Sequence, residues 1–162
     1  MNKYFLLIVV LTFLNSCAKE TKEMSVIKET RQDLEMIGVY KEAYKALEEG
    51  DPYFAAKKFL EAELLFPQSE WAPKSLLMAS YSYYLQNYYA EALSNLERFL
   101  ITYPTNDQIV YAHYLIAMCY YETIEDEKRD SGPLTKASEK FAFILENFPN
   151  SDFALDAKFK LG

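Results

Sequence analysis

The chain is poor in the residues that build reactive centres, with 4 glycines, one histidine, two cysteines and one tryptophan among 162 residues. So few glycines leave no glycine-rich loop to cradle a phosphate, and no nucleophile elbow occurs. With one histidine there is no paired-imidazole metal motif, and His113 has neither a second imidazole nor a thiol at ligand spacing. It reads as a satisfied or solvent-exposed helical histidine. The two thiols, Cys17 and Cys119, are too few for a disulfide framework. Cys119 lies in an apolar helical run with no basic neighbour and reads as a buried, unreactive thiol. Basic residues are outnumbered, 17 Lys and Arg against 24 Asp and Glu, for a net charge of -7. Such a surface repels phosphate backbones, which argues against a nucleic-acid partner. The acidic pairs Glu48-Glu49 and Glu125-Asp126 read as a solvated helix end and a solvated loop. Nothing favours an enzyme, and neither a metal nor a soluble cofactor is expected.

Long apolar runs are also missing. The longest at the N-terminus, Tyr4 to Leu14, has 11 residues, too short for a stable membrane-spanning helix. Preceded by Lys3, it has the layout of a signal peptide over residues 1–16. Setting those residues aside removes a single charge, Lys3, and leaves a net -8. The stretch ends in Leu14-Asn15-Ser16-Cys17, which resembles the lipobox of bacterial lipoproteins, where the Cys is acylated and cleavage falls just before it. An ordinary cleaved signal, or a Cys present by accident, is the alternative. Each buried methylene of an acyl chain contributes about 0.8 kcal/mol, so the three chains implied at Cys17 anchor a protein permanently without spanning the bilayer. By the same resemblance, Ala18 in place of an Asp points to the outer membrane. Residues 17–35 then read as the lipidated N-terminus and a polar tether reaching roughly 20 to 25 Å as a coil, with a helical end left open.

What the chain does have is a repeat. Ala43, Ser80 and Ala117 are spaced by 37, as are Pro67 and Pro104, and Ala55 and Ala92. Beyond these, the intervals lengthen to 45: Ala92 to Ala137, Pro104 to Pro149, Ala117 to Gly162. A period of this length signals stacked helical hairpins, hence an all-α solenoid that offers a binding surface. The pattern predicts helices over 36–49 and 53–65, then 70–85 and 88–101, then 107–122 and 134–146. The extra residues fall in a polar loop from Thr123 to Pro133. Gly50-Asp51-Pro52 supplies a stop and a start, and Asn150-Ser151 a cap for a further helix over 152–162. Small residues let paired helices approach, with large apolar partners four positions on at Phe59, Leu96 and Phe141. This pattern resembles the tetratricopeptide repeat, without its consensus Trp, and implies a domain over 36–162 of three units and the first helix of a fourth. That unpaired helix exposes Leu155, Phe159 and Leu161, so the sequence is expected to be cut short there.

Aromatic residues are abundant, 16% with 14 Tyr. In tetratricopeptide arrays the residues flanking the small position of each first helix face a groove. Here they are Tyr40, Tyr44 and Leu47, then Leu77, Tyr81 and Tyr84, then Tyr114, Met118 and Tyr121. Tyrosine is a large amphipathic contact of modest entropic cost, suited to an extended apolar peptide. The competing reading is that some of these residues pack between neighbouring helices.

The lipobox, the polar tether, the unit ends Phe66-Pro67, Tyr103-Pro104 and Phe148-Pro149-Asn150-Ser151, and the third unit from Tyr111-Ala112-His113-Tyr114 to Tyr120-Tyr121-Glu122 together resemble the BamD (ComL) family. These are tetratricopeptide lipoproteins of the outer-membrane β-barrel assembly machinery. The resemblance implies a periplasmic-face, lipid-anchored subunit that binds unfolded barrel proteins by their aromatic C-terminal segments, with Phe66 at the rim of the groove. It implies the barrel subunit and accessory lipoproteins as partners, with Arg129 and Asp130 as a partner contact or simply as part of a solvated loop. The other reading from the same repeat is a periplasmic scaffold or adaptor lipoprotein, for example for cell-wall enzymes.

Overall fold

The computed structural model describes residues 24–124 and 131–162, with side chains from Leu34 onward. The signal segment, Cys17, Glu125-Asp126, Arg129 and Asp130 lie outside the described residues. The chain divides into two compact units, residues 1–31 and 32–162, and the repeats lie in the second.

Every described element is an α-helix or a turn: α1 (Met24–Glu48), α2 (Pro52–Leu65), α3 (Trp71–Leu85), α4 (Tyr89–Thr102), α5 (Ile109–Glu122), α6 (Gly132–Asn147) and α7 (Asp152–Leu161). Successive helices pack in pairs, and α3 also touches α5, as α5 touches α7. This is the three-and-a-half-unit, tetratricopeptide-type stack expected. No described helix is long and apolar enough to cross a membrane.

Two ends differ from expectation. α1 starts at Met24 and not near Met36, so the second half of the supposed tether is helical; its charged residues lack an apolar stripe but are good helix formers. α6 takes in Gly132 and Pro133, because proline fits the first turn of a helix.

The small residues act as predicted. Ala43, Ser80, Ala117, Ala55 and Ala92 are fully buried, Ala137 nearly so, and Phe59, Leu96 and Phe141 fill the space they leave. The Ser80 hydroxyl donates to the Leu76 carbonyl at 2.8 Å, which satisfies it inside the core. Each buried aromatic or leucine contributes about 1.5–3 kcal/mol.

Two kinds of turn recur. Inside the first two units the chain reverses through a residue with positive φ, Gly50 at 87° and Asn87 at 61°. Asp51 N–H bonds the Ala46 carbonyl and Gly50 N–H that of Leu47, while Tyr88 and Asn87 repeat this onto Tyr83 and Tyr84. That pairing is a Schellman stop, and it needs the left-handed conformation that Gly and Asn accept. Asp51 then caps α2 by accepting from Phe54 N–H at 3.0 Å.

Between units the aromatic before each proline closes the second helix. Phe66, Tyr103 and Phe148 have φ of -133°, -126° and -134°, and each donates its N–H four residues back. Their carbonyls accept from Ser69, Asn106 and Ser151 N–H at 3.0, 3.1 and 3.1 Å. Ser151 does sit at the cap of α7, but its hydroxyl donates to the Phe148 carbonyl, so it gives no side-chain cap.

A link absent from the sequence reading crosses the first two units. Arg98 on α4 donates to both carboxylate oxygens of Glu63 on α2, at 2.6 and 2.7 Å, and Tyr103 Oη reaches one of them at 3.4 Å. Glu63 falls four residues after Phe59, on the buried stripe of α2. That placement was its signal in the sequence.

Candidate functional site

The first helices α1, α3 and α5 carry the residues expected to face a groove, and they divide into three groups. The first group forms an open, largely apolar cleft. Tyr40 lies edge-on between Phe59 and Trp71, 5.1 Å from each. Tyr40 and Trp71, with Ile37, Lys41, Tyr44, Lys45 and Glu48, line a cavity of about 310 Å³ at the first unit. Tyr44 is 45% exposed, so its ring is available to a ligand. Burial raises the pKa of the Tyr40 hydroxyl, with a further push from Tyr44. Trp71 was not among the expected contacts. It starts α3 and is covered on one side by Lys74, whose amine is 4.5 Å from the ring.

In the second group tyrosines are engaged with one another and with the core. Tyr81 and Tyr84 stack at 6.5 Å, and Tyr84 also meets Tyr89 at 5.8 Å. Burial, helped by Glu122, pushes the Tyr84 hydroxyl up to about 12. Tyr111, again not anticipated as a face residue, joins them and is likewise pushed up to about 12, mainly by burial. Tyr114 packs on Phe141 and Phe153 and donates to Asp156 Oδ2 at 2.5 Å. Its pKa is raised by burial first and Asp156 second. Tyr121 leans on Phe141, with the Lys160 amine 4.3 Å over its ring. At neutral pH the raised phenols of Tyr84, Tyr111 and Tyr114 stay uncharged.

The third group is internal. Leu77 and Met118 are 6% and 9% exposed and belong to the core, so they are packing residues and not contacts. Their register rotates them just past the face, towards the neighbouring helix. Leu47 is half-buried against the first core cluster. Phe66 is half-buried at the C-cap of α2 and does not line the Tyr40–Trp71 cleft.

The remaining reactive groups are enclosed. Cys119 is buried, and burial lifts its thiol to about 12, which keeps it protonated and inert. His113 departs from both forms expected of it. It is only half-buried, yet its Nδ1 is enclosed without a hydrogen-bond partner. Among the described residues no group of three or more acidic, histidine or cysteine side chains is able to hold a metal.

A helical-hairpin stack with an aromatic first-helix face can be compared with known families. The model of the YfiO family, described as an outer membrane lipoprotein, matches residues 32–162. This chain belongs to that family. Among its relatives, the outer membrane protein assembly factor BamD of Caulobacter vibrioides is 34% identical over 154 residues, covering 95% of this chain and 50% of that protein. BamD of Rickettsia prowazekii is 34% identical over 107 residues, 66% of this chain and 43% of the relative. BamD of Neisseria meningitidis serogroup A is 29% identical over 171 residues, 97% of this chain and 62% of the relative. The chain thus spans about half the length of the first of these YfiO-family relatives. The match to the family model begins at residue 32 and so rests on the repeat domain.

Proposed function

We propose that this chain serves in outer-membrane protein assembly, by holding the C-terminal segments of unfolded barrel proteins along its first-helix face. The observation that carries the reading is the cleft of Tyr40, Tyr44 and Trp71, an aromatic-lined hollow open to solvent and sized for one large apolar side chain. The tyrosine band that follows over α3 and α5 supplies hydroxyls and ring faces to an extended backbone. Membership of the YfiO family and the names of its relatives support the assembly role.

The setting proposed with it is the periplasmic face of the outer membrane, reached through three acyl chains on Cys17. The partners proposed are the barrel-forming subunit and the accessory lipoproteins. Arg129 and Asp130 are the proposed partner contact within the loop of the third unit. No chemistry is asked of the protein beyond binding and release.

Immobilised peptides with an alternating apolar pattern and a C-terminal Phe test this. Photoreactive groups at Tyr44 and Tyr81 should crosslink to them, and a Tyr44→Ser variant should bind them about tenfold more weakly. Labelling confined to the second helices overturns the groove. Co-purification of cell-wall enzymes without barrel proteins overturns the assembly role and replaces it with a scaffold. A Cys17→Ser variant that stays membrane-bound overturns the anchor.

A further inference from the structure

His113 stands 37 residues after Leu76, which in turn stands 37 after Val39. Leu76 is fully buried in the central core. The repeat thus assigns this register to aliphatic carbon, and the third unit places an imidazole there. Its ring is 4.6 Å from Phe143 on α6 and 6.0 Å from Phe148 in the closing turn, and those two rings are 6.1 Å from each other. The three rings close the joint between α5, the end of α6 and the turn that leads to α7. Within it Nδ1 is enclosed and has no hydrogen-bond partner. The charge acting on the ring is that of Lys140 on α6; α5 itself and the Phe148 turn add none.

A neutral imidazole suits this place as a flat, weakly polar ring. An imidazolium does not, because it carries a second N–H donor into a space without an acceptor and a positive charge towards Lys140. Attraction to the faces of Phe143 and Phe148 offsets only part of that cost. We propose that His113 is an acid-sensitive latch of the third unit: neutral, it closes α5 onto α6 and the Phe148 turn, and protonated, it loosens that joint. The first two units have no counterpart, since Val39 and Leu76 do not titrate.

The direction of the effect follows from linkage. Burial first, and Lys140 second, hold the His113 pKa below the ordinary histidine range. An unfolded chain therefore takes up the proton more readily than the folded one. The stability that depends on neutral His113 is present above a pH of about 6.5 and drains away as pH falls below it.

Because His113 is the one histidine of the chain, its ring-proton resonance titrates alone in an NMR experiment on this 162-residue chain. A midpoint below about 6.5 is expected, and one at or above that value overturns the proposal. Amide exchange, corrected for its intrinsic pH dependence, gives the structural readout. Between pH 7.5 and pH 5, protection over residues 141–148 should fall about tenfold relative to that over α3 and α4, and His113→Leu should abolish the difference. A uniform loss across all units, or none, overturns it. Should H113L fail to fold, the wild-type midpoint and the regional exchange pattern decide the matter alone.

Discussion

Glu63 and Arg98 face each other from the second helices of two successive units, joined by two hydrogen bonds of 2.6 and 2.7 Å. The Glu63 side chain is 9% exposed and that of Arg98 45%. The flat guanidinium matches the carboxylate fork, which fixes how α4 lies against α2 as well as holding it there. By contrast, the ion pairs of Lys45 with Glu49 and of Lys58 with Glu42 and Glu61 have at least one well-exposed partner and contribute little.

Removing one partner should therefore cost more than removing both. Arg98→Met strands the buried carboxylate and should destabilise the chain by about 1–3 kcal/mol, a range lowered because the arginine is half in water. Adding Glu63→Leu should recover most of the loss. Urea titration of the wild type, both single variants and the pair measures this, and equal stability of wild type and R98M would show that the pair is ornamental.

The two left-handed turns make a matched comparison. Gly50→Ala forces a β-carbon into positive φ, while Asn87→Ala keeps the β-carbon already there and loses the short polar side chain that eases the left-handed conformation, and each should lower stability by about 1 kcal/mol. Asn87→Gly should be close to neutral, since it relieves the backbone while losing the bond that Tyr89 Oη makes to Asn87 Oδ1. Thermal unfolding of the three variants distinguishes backbone strain from lost contacts.

Leu77 and Met118 provide a test of the division between face and core. Each Ala substitution should cost about 2–5 kcal/mol in stability. Peptide affinity, measured where the variant is folded, should be unchanged. A weakened affinity at full stability would return these residues to the binding face.

Tyr114 ties the first helix of the third unit to α7 through Asp156. Tyr114→Phe keeps the ring and removes the bond, so it should cost about 1–2 kcal/mol. Chemical denaturation reads the loss, and amide exchange should place it in α7.

Alkaline pH should unfold the chain through its phenols and its thiol. Tyr84 and Tyr111 are pushed up to about 12 from 10.0, and Cys119 to about 12 from 9.0. A folded pKa above the unfolded one means stability that is complete below the unfolded value and lost as pH climbs towards the folded one. The decline should begin near pH 9 for Cys119 and near pH 10 for the tyrosines. Ultraviolet titration of tyrosinate and the rate of Cys119 alkylation, slow when folded and fast in urea, follow the two events separately.

Much of this architecture was legible because it repeats. Ala43, Ser80 and Ala117 mark a spacing that only close helix approach explains, and the prolines after Phe66, Tyr103 and Phe148 mark the unit ends. The helical onset of α1 at Met24 was hidden, since residues 24–35 lack the apolar stripe on which periodicity depends. The site was read less completely. A register one step out turns Leu77 from face to core, and helical spacing alone does not resolve that step. Trp71 escaped because it belongs to the cleft through Tyr40, a neighbour in space and not in the repeat. The Glu63–Arg98 pair joins residues 35 apart; Glu63 showed only as a charge on a buried stripe.

The closing turns at Phe66, Tyr103 and Phe148 share one backbone shape and one hydrogen-bond scheme. The third unit, longer by eight residues, six of them between its helices and two in α6, reaches its closing turn in the same conformation as the others. Pitch and loop length are thereby uncoupled: the closing turn between neighbouring units keeps one shape, while the opposite edge of a hairpin is free to change length. A chain built this way can lengthen the loop of one unit without re-engineering the stack on either side.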